Sequence, residues 1–119
     1  MKWKSLIFFF GIVGIIGFGL FPQTVRADSV TYSYNVVKSS STIGRSYLTS
    51  TDMSDYLYTS HKSWAVMGNS LISKSASGDN IGDGYITVTT TFSTGYNITQ
   101  IDGTFKYAGT TKYISRVYN

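Results

Sequence analysis

Apolar and polar side chains alternate with a period of two along most of this chain. Val30, Tyr32, Tyr34 and Val36 alternate with Thr31, Ser33 and Asn35, the pattern of a half-buried strand. Lys38 to Thr42 contains three consecutive serines and reads as a loop. Arg45 to Thr49 reads as a short strand. Thr51 to Tyr58 admits two readings: a helix capped by Thr51 with Met53, Tyr56 and Leu57 on one face, or a short strand. Ser63 to Met67 and Ser70 to Ser75 flank Gly68-Asn69, a two-residue hairpin turn that pairs Val66 with Leu71 and puts Trp64 on their face. Ser77 to Gly84, rich in glycine and aspartate, reads as a loop. From Gly84 to Ser93, Ile86, Val88 and Phe92 point one way and Tyr85, Thr87, Thr89 and Thr91 the other. Asn97 to Tyr107 is either a hairpin turning at Asp102-Gly103 or one long strand with Ile98 displaced by a bulge. The long strand is preferred, because its length matches its neighbours. Ala108 to Thr111 turns, and Lys112 to Tyr118 closes the chain with Ile114 and Arg116 opposite Tyr113, Ser115 and Val117. About six to eight strands at this spacing predict an all-β domain, a small antiparallel β-sandwich or partly open barrel.

The N-terminus follows a different pattern. Lys2 and Lys4 precede a 16-residue apolar run, Leu6 to Phe21, then Pro22 and the small-residue pair Val25 and Ala27. This order predicts a secretory signal peptide over residues 1–27, a helix in its apolar part, cleaved between Ala27 and Asp28. The run is shorter than the ~20 residues of a bilayer-spanning helix and is interrupted by Gly11, Gly14, Gly17 and Gly19. The expected product is a single secreted domain, residues 28–119, with no stable membrane insertion. The long apolar signal with no lipidation cysteine suggests a Gram-positive source.

Composition sharpens this picture. Removing the signal lowers Lys and Arg to seven against six Asp, so the net charge of +4 falls to +1. That weakens nucleic acid as a partner, which calls for a basic face. Serine and threonine make up about a third of residues 28–119, all ten tyrosines lie there, and glutamate is absent. Tryptophan is scarce: in the secreted chain Trp64 stands alone, among Val66, Met67, Leu71 and Ile72. Trp64 is therefore expected in the core, with an exposed binding anchor as the rival reading.

Catalytic and metal chemistry find little support. There is no cysteine, and the single histidine, His61, falls between two predicted elements and reads as a solvated loop residue. Asp79, Asp83 and Asp102 sit beside glycine in turn-like contexts. Asp79 to Gly84 resembles the start of a calcium loop but has Ile81 at the third position, where an oxygen ligand belongs, and Thr90 at the twelfth, where a bidentate glutamate belongs. No catalytic residue, metal site or cofactor is predicted. Asn97-Ile98-Thr99 matches a glycosylation acceptor, a tripeptide that arises easily by chance here.

The remaining signal is tyrosine, which offers an apolar face and a polar tip. Tyr32, Tyr34, Tyr56, Tyr58, Tyr85 and Tyr96 are the candidate surface-contact aromatics. They point to a small secreted non-enzymatic protein that acts by contacts with a cell-envelope component or another protein. Ser54-Asp55-Tyr56, Ser60-His61-Lys62 and Ala65-Val66 to Gly68-Asn69 loosely resemble the lactococcin-type secreted bacteriocins that fold as small β-sandwiches. The chain lacks that family's tryptophan-glycine start and repeated histidines. The resemblance implies an alternative role as a secreted bacteriocin or toxin-like effector.

Overall fold

Strands account for most of the computed structural model, which describes residues 21–27 and 29–118. They are β1 (Gln23–Ala27), β2 (Val30–Lys38), β3 (Ile43–Ser50), β4 (Tyr56–Met67), β5 (Ser70–Ile81), β6 (Tyr85–Thr91), β7 (Asn97–Tyr107) and β8 (Thr110–Val117). The apolar body of the predicted signal lies outside the described residues. Its last part does not: Gln23–Ala27 forms β1 and pairs antiparallel with β2, Val25 opposite Tyr32. No helix among the described residues is long and apolar enough to cross a membrane.

The strands form two antiparallel sheets of four, ordered β1-β2-β3-β6 and β5-β4-β7-β8. Their inner faces pack as a β-sandwich. The strand period decides the core: β2 contributes Tyr32, Tyr34 and Val36, and β7 contributes Ile101, Phe105 and Tyr107, all buried. Tyr32 stacks on Tyr107 with ring centroids 4.1 Å apart, and Tyr34 meets Phe105 at 4.9 Å. Tyrosine bodies thus replace the aliphatic side chains that the sequence lacks.

Two glycines set the distance between the sheets. A Cβ on Gly44 would lie 2.7 Å from Ser63 Oγ, and one on Gly103 would collide with Val36 Cγ1. At one side β5 and β6 come together, and Lys74 reaches from β5 to donate to the Thr91 carbonyl at 2.8 Å. At the other side Arg116 of β8 donates to Asn35 Oδ1 and to the Phe21 carbonyl, each at 3.1 Å.

Several sequence expectations are met in detail. The Gly68-Asn69 hairpin pairs Val66 with Leu71. Asn97–Tyr107 is one strand, with a bulge opposite the Trp64/Ala65 step that brings Ile98 inward with Ile101. Others are corrected. Thr51 to Asp55 is a turn in which Asp52 accepts from the main-chain N–H and hydroxyl of Ser54, and Tyr56 already begins β4. Ser77 to Ile81 is not loop but the end of β5, where Ser77, Asp79 and Ile81 continue the outward alternation of Ser73 and Ser75 and pair with Ser60, Tyr58 and Tyr56 across the ladder.

Candidate functional site

The even-numbered residues of β4 point away from the core. Tyr58, Ser60, Lys62 and Trp64 therefore lie on the outer face of the second sheet. The ladder brings Asp79, Ser77, Ser75 and Ser73 of β5 beside them on one flank. Lys106, Thr104, Asp102 and Gln100 of β7 lie on the other. Beyond β7, β8 adds Thr111, Tyr113, Ser115 and Val117.

In the middle of this face is a shallow depression of about 440 Å³, lined by Ser60, Lys62, Trp64, Ser75, Ser77, Asp102 and Thr104 among others. Asp102 is held from two sides: Gln100 Nε2 donates to its Oδ1 at 3.0 Å and Ser115 Oγ at 2.6 Å. Both bonds end on Oδ1, which among the described residues leaves Oδ2 free to accept. Lys62 Nζ lies 5.2 Å from the centroid of the Trp64 ring, and Lys106 Nζ lies 5.2 Å from that of Tyr58. Tyr56 Oη donates to Asp79 Oδ2 at 3.0 Å, which raises the Tyr56 pKa.

The candidate aromatics separate by strand phase. Tyr32 and Tyr34 are core residues, not surface contacts, because both are on the inward phase of β2. The Tyr32 hydroxyl donates to Asp55 Oδ2 at 2.6 Å. That bond, with burial, pushes the Tyr32 pKa up to about 12. Burial pushes Tyr34 up to about 12 as well. Tyr56 and Tyr85 are exposed, but on opposite sheets. Tyr58 is partly buried on the outer face of the second sheet. Tyr96 packs against the core beside Phe92, with centroids 6.3 Å apart. Trp64 is not in the core either; it is a partly buried residue of the outer face. The period-two pattern of β4 carried that information. It was obscured because the inward residues at the middle of the strand are polar.

Those inward residues include His61, which is buried rather than solvated. Its Nδ1 lies 2.9 Å from Ser46 Oγ and its Nε2 2.9 Å from Thr90 Oγ1. Ser63 Oγ joins Thr90 at 2.9 Å, and Thr59 Oγ1 joins Ser46 at 3.0 Å. The network links the two sheets through hydroxyls, and no carboxylate touches it. Burial pushes the His61 pKa down to about 4, so the ring is neutral at pH 7.

Neither of the other sequence candidates gathers ligands. Asn80 donates to Asp83 Oδ2 at 2.9 Å across the β5–β6 hairpin. Asn97 Oδ1 accepts from Lys38 Nζ at 2.8 Å. Among the described residues no three metal-ligating side chains come together. Comparisons with protein-family models, with curated proteins and with solved structures found no match to this chain.

Proposed function

We propose that this protein is a small secreted, non-enzymatic module that acts by surface contacts at the cell envelope, and that the outer face of the second sheet makes those contacts. One observation carries this reading. Nine large apolar side chains are strongly exposed among the described residues, and five of them, Tyr56, Leu71, Ile81, Tyr113 and Val117, share this one face. They are spread along its ends and its β8 edge, and their gathering on one side favours this face over the opposite sheet as the contact surface. Support for secretion comes from the ordered parts of the N-terminal signal. The reading without catalysis is supported by the enclosure of the single histidine between two hydroxyls.

Sedimentation with purified cell walls and membranes tests the proposal. Protein from the culture medium is expected to sediment with Gram-positive envelopes, and Tyr113→Ser combined with Leu71→Ser is expected to release it. Absence from the medium, or sedimentation unaffected by those changes, would refute it. Growth arrest of related cells by the purified protein would replace it with the effector reading.

A further inference from the structure

The arrangement of that face indicates what it holds. A protein–protein interface has an apolar centre surrounded by a polar rim. Here the order is reversed. The exposed apolar residues lie at the periphery: Leu71 and Ile81 at the two ends of β5, Tyr113 and Val117 along the edge strand β8. The centre consists of the hydroxyls of Ser60, Ser75, Ser77 and Thr104 around the anchored carboxylate of Asp102. A partner that meets such a centre must itself carry many hydroxyl or amide groups.

Charge narrows the ligand further. The strand ladders place Lys62 and Lys106 on this face together with Asp79 and Asp102, so positive and negative groups balance. A polyanion would meet two carboxylates with no surplus of cations, which disfavours nucleic acid and phosphate-rich polymers. The aromatic rings complete the pattern. Trp64 and Tyr58 are on the same face of β4, six residues apart, a separation of about 20 Å at the rise of a strand. Aromatic rings at either end of a hydroxyl-lined trough fit the apolar C–H faces of two pyranose rings several residues apart in a straight, extended glycan.

Resting on the contact reading above, we infer that this face binds a neutral, extended β-linked polysaccharide along β4. Trp64 and Tyr58 stack on sugar rings, and Asp102 Oδ2 accepts from a sugar hydroxyl. Lys62 and Lys106 are both exposed, and each withdraws from its ring, Trp64 or Tyr58, when a sugar takes its place.

Intrinsic fluorescence tests the inference in protein carrying Trp3→Phe, so that Trp64 alone reports. Titration with chitohexaose and with cellohexaose is expected to shift the Trp64 emission saturably for at least one of them, and α-linked maltohexaose to do so at least tenfold more weakly. Asp102→Asn, which preserves shape, is expected to weaken binding about tenfold, and Tyr58→Ala at least tenfold. Tyr85→Ala, on the opposite sheet, is expected to leave it unchanged. Retention on insoluble chitin or cellulose gives a second readout, one that also serves Trp64→Ala. Failure of both β-linked hexasaccharides, or binding indifferent to Asp102→Asn and Tyr58→Ala, overturns the inference. If envelope sedimentation through this face persists after such a failure, the glycan assignment falls and the contact reading stands.

Discussion

His61 shows how a single residue couples this fold to pH. In the unfolded chain an ordinary histidine takes up a proton below about pH 6.5. In the folded protein burial keeps the ring neutral down to about pH 4. The stability due to the neutral ring is therefore complete above about pH 6.5. It falls as the pH drops towards 4, by roughly 3 kcal/mol. Urea unfolding followed from pH 7.5 to 4 is expected to show this loss, and His61→Gln to flatten it. Below that window Asp52 adds a separate acid loss, since its bonds from Ser54 hold its pKa under the usual carboxylate value. Gly103 is a second sensitive position. Gly103→Ala would drive a methyl into Val36 and against Phe105 Cζ at 3.0 Å. The expected cost is about 1–3 kcal/mol, read from the urea midpoint.

At the scale of the element, β4 carries both the interior and the exterior chemistry of the protein. Its odd positions supply the buried polar seam Thr59, His61 and Ser63, and its even positions the outer row Tyr58, Ser60, Lys62 and Trp64. The two sets are separable by mutation. A tryptophan in the core would cost about 3–5 kcal/mol when truncated to alanine. On the outer face, Trp64→Ala is expected to cost about 1 kcal/mol or less. Its emission in the Trp3→Phe protein is expected to be accessible to acrylamide, whereas a blue-shifted, protected emission would put it back in the core. The β4–β5 hairpin depends on Gly68, whose φ of 61° is left-handed. Gly68→Val is expected to destabilise the protein by about 1–2 kcal/mol, measured by thermal unfolding.

For the whole molecule, the first sheet depends on a segment that the signal-peptide motif assigns to the leader. β1 covers the edge of β2, Val25 packs against the core, and the Phe21 carbonyl accepts from the buried guanidinium of Arg116. A chain that begins at Asp28 loses all three. It is expected to be less stable than one that begins at Phe21, by about 1–3 kcal/mol for the stranded Arg116 donor alone. It is also expected to self-associate through the uncovered β2 edge. Urea midpoints and light scattering of the two chains check this, and the N-terminal mass of the protein in the medium shows which one is released.

What the sequence determined by itself was local. Alternation in β2, β6 and β8 and the Gly68-Asn69 turn encode strands, faces and register, because the side-chain period and turn chemistry act over a few residues. The bulged strand Asn97–Tyr107 was legible for the same reason, since Ile98 falls out of phase with Ile101. Strand phase alone does not say which face is buried when the inward side is polar. Thr59-Ser60-His61-Lys62-Ser63 looked like a break because the partners that satisfy it, Ser46 and Thr90, come from strands 13 or more residues away. Tertiary structure alone decided that Trp64 is exterior. It alone gathered Asp102, Ser75 and Lys62 onto one face, since the ladder that joins them is built from contacts between β4, β5 and β7.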